Sequence, residues 1–179
     1  MRKSPALRRL ITFGAALTVA IAGSMVAVTP AQAGCQTVAI WSTDTDQYVS
    51  AELNDTAFPG MLRARAGAIG PWEKFTMCVD GLGYFTLKSN ANGRYVAVEH
   101  NFSGRYQHML RARTPASQLG AWERFLLEDW GDVVAFRSDR GFYVTAEFGY
   151  TDPKEKGMLR SRQGQTYRGP WESFDYFQA

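Results

Sequence analysis

Tyr48-Val-Ser-Ala-Glu52, Tyr95-Val-Ala-Val-Glu99 and Tyr143-Val-Thr-Ala-Glu147 are three versions of one phrase. Each is followed by a second shared phrase, Leu62-Arg-Ala-Arg65, Leu110-Arg-Ala-Arg113 or Leu159-Arg-Ser-Arg162. Each copy then closes on Trp-Glu-x-Phe, at Trp72 to Phe75, Trp122 to Phe125 and Trp171 to Phe174. A threefold repeat with a period of about 47 to 50 residues restricts the fold more than any single residue does. One copy is too small to bury its own apolar face, so the copies must share a core.

Within each copy the apolar residues alternate, the period of a half-buried strand and not of a helix. Four strands per copy are predicted. In the first they run Val38 to Ser42, Tyr48 to Leu53, Met61 to Ala66 and Phe75 to Val79. In the second they run Phe85 to Ser89, Tyr95 to His100, Met109 to Arg113 and Phe125 to Glu128. In the third they run Val134 to Ser138, Tyr143 to Phe148, Met158 to Arg162 and Phe174 to Phe177. Asn92-Gly93 and Arg140-Gly141 mark tight turns, where Asn or Gly tolerates positive φ. Four strands per repeat also suit a propeller blade, but propellers take four to eight blades. Three copies of four short strands point to an all-β β-trefoil.

Composition has to be read without Met1 to Ala33. Arg2, Lys3, Arg8 and Arg9 precede an apolar run from Leu10 to about Val28, which ends in the small-residue site Ala31-Gln-Ala33. That is the layout of a secretory signal peptide, so the remaining chain is expected outside the cell. Removing four basic and no acidic residues leaves 16 basic against 17 acidic and takes the formal charge from +3 to −1. Without a basic surplus nothing tracks a phosphate backbone, and nucleic acid is not an expected partner. Residues 34–179 are read as one domain, with repeats at about 35–81, 82–131 and 132–179. Cys35 and Cys78 are the two cysteines, and an oxidising compartment favours a disulfide between them. The competing use of Cys35 is lipidation after signal removal, the one route by which a membrane would become a partner.

Gly93-Arg-Tyr-Val-Ala-Val-Glu99, Leu62-Arg-Ala-Arg65 and Gly70-Pro-Trp-Glu-Lys-Phe75 resemble the repeat motifs of fascin-like β-trefoil domains, over essentially the whole chain after residue 33. The resemblance implies a six-stranded barrel capped by three hairpins, with pseudo-threefold symmetry. That superfamily holds intracellular actin bundlers and secreted modules similar to carbohydrate-binding trefoils. Export disfavours actin.

Strand parity sorts the repeated positions. Val49, Ala51, Leu53, Val96, Val98, Val144 and Ala146 should face the core, which turns Tyr48, Glu52, Tyr95, Glu99, Tyr143 and Glu147 outward. Leu62, Leu110 and Leu159 should point in, and Arg63, Arg65, Arg111, Arg113, Arg160 and Arg162 out. Glu52 beside Arg63 or Arg65 is then an exposed cross-strand ion pair worth at most about 1 kcal/mol. Alternatively, each carboxylate accepts sugar hydroxyls while a guanidinium orients it, and both roles are compatible. Trp72, Trp122 and Trp171 are either plugs at the barrel mouth or exposed indoles for stacking on a pyranose. Glu73, Glu123 and Glu172 are expected to satisfy strand ends or loop amides.

The candidate ligand residues are therefore Glu52, Glu99, Glu147, Trp72, Trp122, Trp171, Tyr48, Tyr95, Tyr143, Arg63, Arg111 and Arg160. Catalysis is not expected. A glycosidase needs two carboxyls about 5–5.5 Å or 6.5–9.5 Å apart, and repeat-equivalent glutamates sit in different lobes. His100 and His108 lack the Cys or carboxylate neighbours of a convincing zinc site, so neither metal nor cofactor is expected. The leading expectation is a monomeric, lectin-like binder of polysaccharide or oligosaccharide at up to three equivalent sites, with β-glucans the first class suggested by the resemblance. The alternative is a protein-binding trefoil, an enzyme inhibitor or a filament-bundling scaffold, acting through one loop such as Phe102 to His108.

Overall fold

The computed structural model describes residues 34–164 and 169–179; the segment read as an export signal lies outside them. The first copy forms β1 (Gly34–Ser42), β2 (Gln47–Glu52), β3 (Met61–Ala66) and β4 (Phe75–Val79). The second forms β5 (Tyr84–Ser89), β6 (Tyr95–Val98), β7 (Leu110–Thr114) and β8 (Phe125–Asp129). The third forms β9 (Val134–Arg137), β10 (Tyr143–Glu147), β11 (Met158–Gln163) and β12 (Phe174–Gln178). Most boundaries lie within a residue or two of the periodicity reading. The exception is β1, which starts at Gly34 because its first half has a partner of its own in β4.

Antiparallel pairings run β1 to β4, β4 to β5, β5 to β8, β8 to β9, β9 to β12 and β12 back to β1. Six strands therefore close on themselves. The hairpins β2–β3, β6–β7 and β10–β11 join this ring at Trp41↔Tyr48, Lys88↔Tyr95 and Arg137↔Tyr143. Each hairpin has a bulge just after its first tyrosine, at Tyr48/Val49, Tyr95/Val96 and Tyr143/Val144. The hairpins also meet one another, through Met61↔Arg111, Met109↔Arg160 and Met158↔Arg63. The result is an all-β, β-trefoil-like architecture in which corresponding residues of the three copies make corresponding contacts.

Two apolar clusters hold it. The larger fills the barrel with the predicted inward residues, including Val49, Leu62, Val96, Leu110, Val144 and Leu159, and with two stacked pairs, Phe85 on Phe125 and Phe136 on Phe174, that meet edge-on at Phe85 and Phe136. The smaller is the trio Met61, Met109 and Met158, one methionine from each copy, under Phe58, Phe102, Tyr106 and Tyr150. Unbranched thioethers suit a junction of three hairpins, because they adapt to an irregular gap. A disulfide joins Cys35 to Cys78, directly opposite each other on β1 and β4. Lipidation of Cys35, which needs its sulfur free, is excluded in this form.

Candidate functional site

The Trp-Glu pairs begin as local structure. Each lies on a 3-10 turn, Pro71–Glu73, Ala121–Glu123 or Pro170–Glu172, before the fourth strand of its copy. The glutamate folds back to accept the backbone N–H of Gly70, Gly120 or Gly169 at 2.8, 2.8 and 3.0 Å. Thr114 and Thr145 hydroxyls donate to the second oxygen of Glu123 and Glu172, both at 2.9 Å. These carboxylates satisfy loop amides, as their position in the repeat suggested.

The same turns correct the parity reading of the second strands. Each turn packs across the outer face of β2, β6 or β10, so both faces of those strands are covered. Glu52, Glu99 and Glu147, expected outside, are buried. Their charge is met by the arginines of the next strand. Arg65 pairs with Glu52, Arg111 and Arg113 with Glu99, and Arg160 and Arg162 with Glu147. Exposed cross-strand pairs were expected; buried carboxylates are found, beneath partly exposed guanidiniums in the first two copies and between buried Arg160 and exposed Arg162 in the third.

The first arginine of each Leu-Arg-x-Arg has a second task. Arg63 donates to the carbonyls of Pro153 and Lys156, Arg111 to that of Pro59, and Arg160 to that of Gln107 at 2.7 Å. Each therefore clasps a loop of a neighbouring copy. Tyr48 and Tyr143 are likewise occupied. Tyr48 packs edge-on against Trp41, Tyr95 is half-buried, and Tyr143 is fully buried, with its hydroxyl donating to Glu128 at 2.8 Å. The expectation that Tyr143 faces solvent is thus overturned, because Trp130 covers its ring.

None of the three tryptophans is a core plug. Trp72 and Trp122 are half-buried, Trp122 edge-on to His100, and Trp171 is 41% exposed. Trp171 forms one wall of a cleft of about 600 Å³ lined also by Thr145, Glu147, Gly149, Tyr150, Arg162, Pro170 and Glu172. Of the twelve candidate ligand residues, this cleft gathers Glu147 and Trp171. Thr145 and Gly149 were missed, because a small residue on a strand or loop carries no signal until a neighbour is known. Tyr150 lies between β10 and β11 and belongs to none of the repeated phrases. Burial, and then Glu147, raise the pKa of its phenol, so it stays a donor. Its hydroxyl bonds Glu147 at 2.5 Å and receives Arg160 at 2.9 Å.

The second-copy loop suggested for protein binding turns its aromatics inward, since Phe102 and Tyr106 pack on the methionine trio. His100 meets a carboxylate that sequence proximity did not reveal, Asp139 at 2.9 Å. Among the described residues no group of three or more His, Cys, Asp or Glu side chains is placed to hold a metal ion.

No protein-family model matches the chain, and no curated protein does. Solved structures do. A designed threefold-symmetric protein, ThreeFoil, superposes with a TM-score of 0.63 at 15% identity, over 80% of this chain and 99% of its own. A GlcNAcα1-4Gal-releasing endo-β-galactosidase from Clostridium perfringens gives 0.60 at 12% identity, over 80% of this chain and 32% of the enzyme. Cry35Ab1 gives 0.60 at 12%, over 80% of this chain and 35% of its own. The chain thus spans about a third of each of the last two. At such identities the likeness is one of fold, and the fold is β-trefoil-like.

Proposed function

We propose that the protein is an exported, non-catalytic carbohydrate-binding module whose principal site is the cleft of the third copy. The observation that carries this is Trp171, an indole exposed beside fixed polar groups. A pyranose presents an apolar C–H face and a rim of hydroxyls, so it needs one flat apolar surface and a few oriented donors and acceptors. Trp171 supplies the first; for the second, the exposed guanidinium of Arg162 supplies donors, and the hydroxyl oxygens of Tyr150 and Thr145, whose protons go to Glu147 and Glu172, supply acceptors. Both carboxylates of the cleft are already engaged, Glu172 by Gly169 and Thr145, Glu147 by Arg160, Arg162 and Tyr150. A carboxylate tied down in this way serves recognition better than proton transfer, which supports binding over hydrolysis.

The disulfide is compatible with an oxidising, extracellular setting. Among the described residues no helix is long and apolar enough to cross a membrane. The other two copies offer Trp72 and Trp122 as weaker sites. A polymer that reaches more than one gains avidity without new contacts.

The test is retention on insoluble polysaccharides and a glycan array, with Trp171→Ala, Trp72→Ala and Trp122→Ala compared to the parent. Trp171→Ala should remove most binding and leave the melting temperature nearly unchanged. Full retention by Trp171→Ala would place any sugar site elsewhere.

A further inference from the structure

The cleft at Trp171 has a neighbour at the boundary with the second copy. A neighbouring cleft of about 430 Å³, lined by Arg105, Gln107, His108, Phe142 and Arg160 among others, shares Tyr150 and Arg162 with it. The two meet at these shared side chains, at the boundary between copies, and the pair is called the groove.

Charge in this groove is sorted by depth. Arg162 and Arg105 are 61% and 56% exposed, while their partners Glu147 and Glu155 are 7% and 5% exposed. Each contact uses one nitrogen of the guanidinium, Nη1 of Arg162 at 3.2 Å and Nε of Arg105 at 3.1 Å. Glu147 is also met from the buried side by Arg160, and with the buried Glu172 the carboxylates here equal the guanidiniums in number, so what sets Arg162 and Arg105 apart is their place at the surface. The solvent side of the groove therefore presents positive charge and open N–H donors, with the acceptors beneath.

We infer that the groove takes an acidic polysaccharide, one whose rings stack on Trp171 and whose carboxylate or sulfate groups are received by Arg162 and Arg105. This rests on the carbohydrate reading and narrows it. A guanidinium matches either oxyanion with two parallel donors, which an uncharged hydroxyl cannot engage as strongly. A neutral glucan would use the indole and leave both forks in water. Recognition by this route is local, since the net charge of −1 on residues 34–179 gives no long-range attraction for a polyanion.

The test uses the exported protein and two matched pairs: polygalacturonate with its carboxyl-reduced form, and dextran sulfate with dextran. Affinity is measured by calorimetry at low and high salt for the parent, for Arg162→Gln with Arg105→Gln, and for Arg124→Gln. Arg124 is an exposed arginine outside the groove, paired with Asp80. One acidic polymer should bind about tenfold or more tightly than its neutral partner, and the pair that does so tells carboxylate from sulfate. The double variant should erase that preference and Arg124→Gln should keep it. Equal binding of acidic and neutral chains, or an equal loss in Arg124→Gln, overturns the inference and leaves the carbohydrate reading standing. Absence of binding to all four, and to every glycan of the array, overturns both.

Discussion

At the scale of residues, the repeated charges do more structural work than their alternation suggested. Periodicity shows which side of a strand a residue is on, but not whether that side is covered, and the covering turn comes some twenty residues later. This is why Glu52, Glu99 and Glu147 were expected in solvent and are buried. The energetic consequence is large in the third copy, where Arg160 and Glu147 are both buried and Arg160 also holds Gln107. Breaking a buried pair from one side typically costs about 3–5 kcal/mol, whereas an exposed partner contributes at most about 1. Arg160→Ala should therefore lower the urea midpoint strongly and Arg162→Ala hardly at all. Equal effects from the two would mean that depth does not govern these pairs.

At the scale of elements, the hairpins and barrel strands were legible because alternation and turn chemistry act over a few residues. What was not legible is how closely the hairpins approach. A side chain at Gly157 would put its Cβ 2.3 Å from the Ala64 carbonyl oxygen, and at Gly60 2.5 Å from that of Ala112. Both glycines also have positive φ, +81° and +84°. The corresponding residue of the second copy is His108, itself at φ 61°. Gly93, with φ +68° in a turn, has open space where a Cβ would go. Gly157→Ala should thus be destabilised by clash as well as by conformation, and Gly93→Ala only by the latter, about 1–2 kcal/mol. Chemical denaturation of the two variants checks the order, and a milder effect at Gly157 would contradict the close approach.

At the scale of the whole molecule, the threefold repeat carried the fold and left the site's asymmetry open. The phrases that recur are those needed three times: inward Val and Leu, clasping arginines, and glutamates that close the turns. The cleft depends on what does not recur, above all Tyr150 and the exposure of Trp171. The disulfide is likewise unique to one copy. It closes a loop of about 44 residues, given a separation of 43, for which chain entropy gives about 4 kcal/mol. Reduction should lower the melting temperature on the order of 10 °C while far-ultraviolet circular dichroism stays all-β, because the barrel has its own core. Loss of the strand signal on reduction would show that the bridge, and not the core, holds the first copy.

The central claim is that one of three similar lobes is the working sugar site, and the five tryptophans report on it separately. The most direct measurement is an NMR titration of the five indole N–H resonances with an oligosaccharide chosen from the glycan array. The account predicts that the Trp171 resonance moves first and furthest, that Trp72 and Trp122 follow only at higher ligand, and that Trp41 and Trp130 stay in place. Equal movement of Trp72, Trp122 and Trp171 at low ligand, or a saturating ligand that leaves Trp171 unmoved, would contradict it.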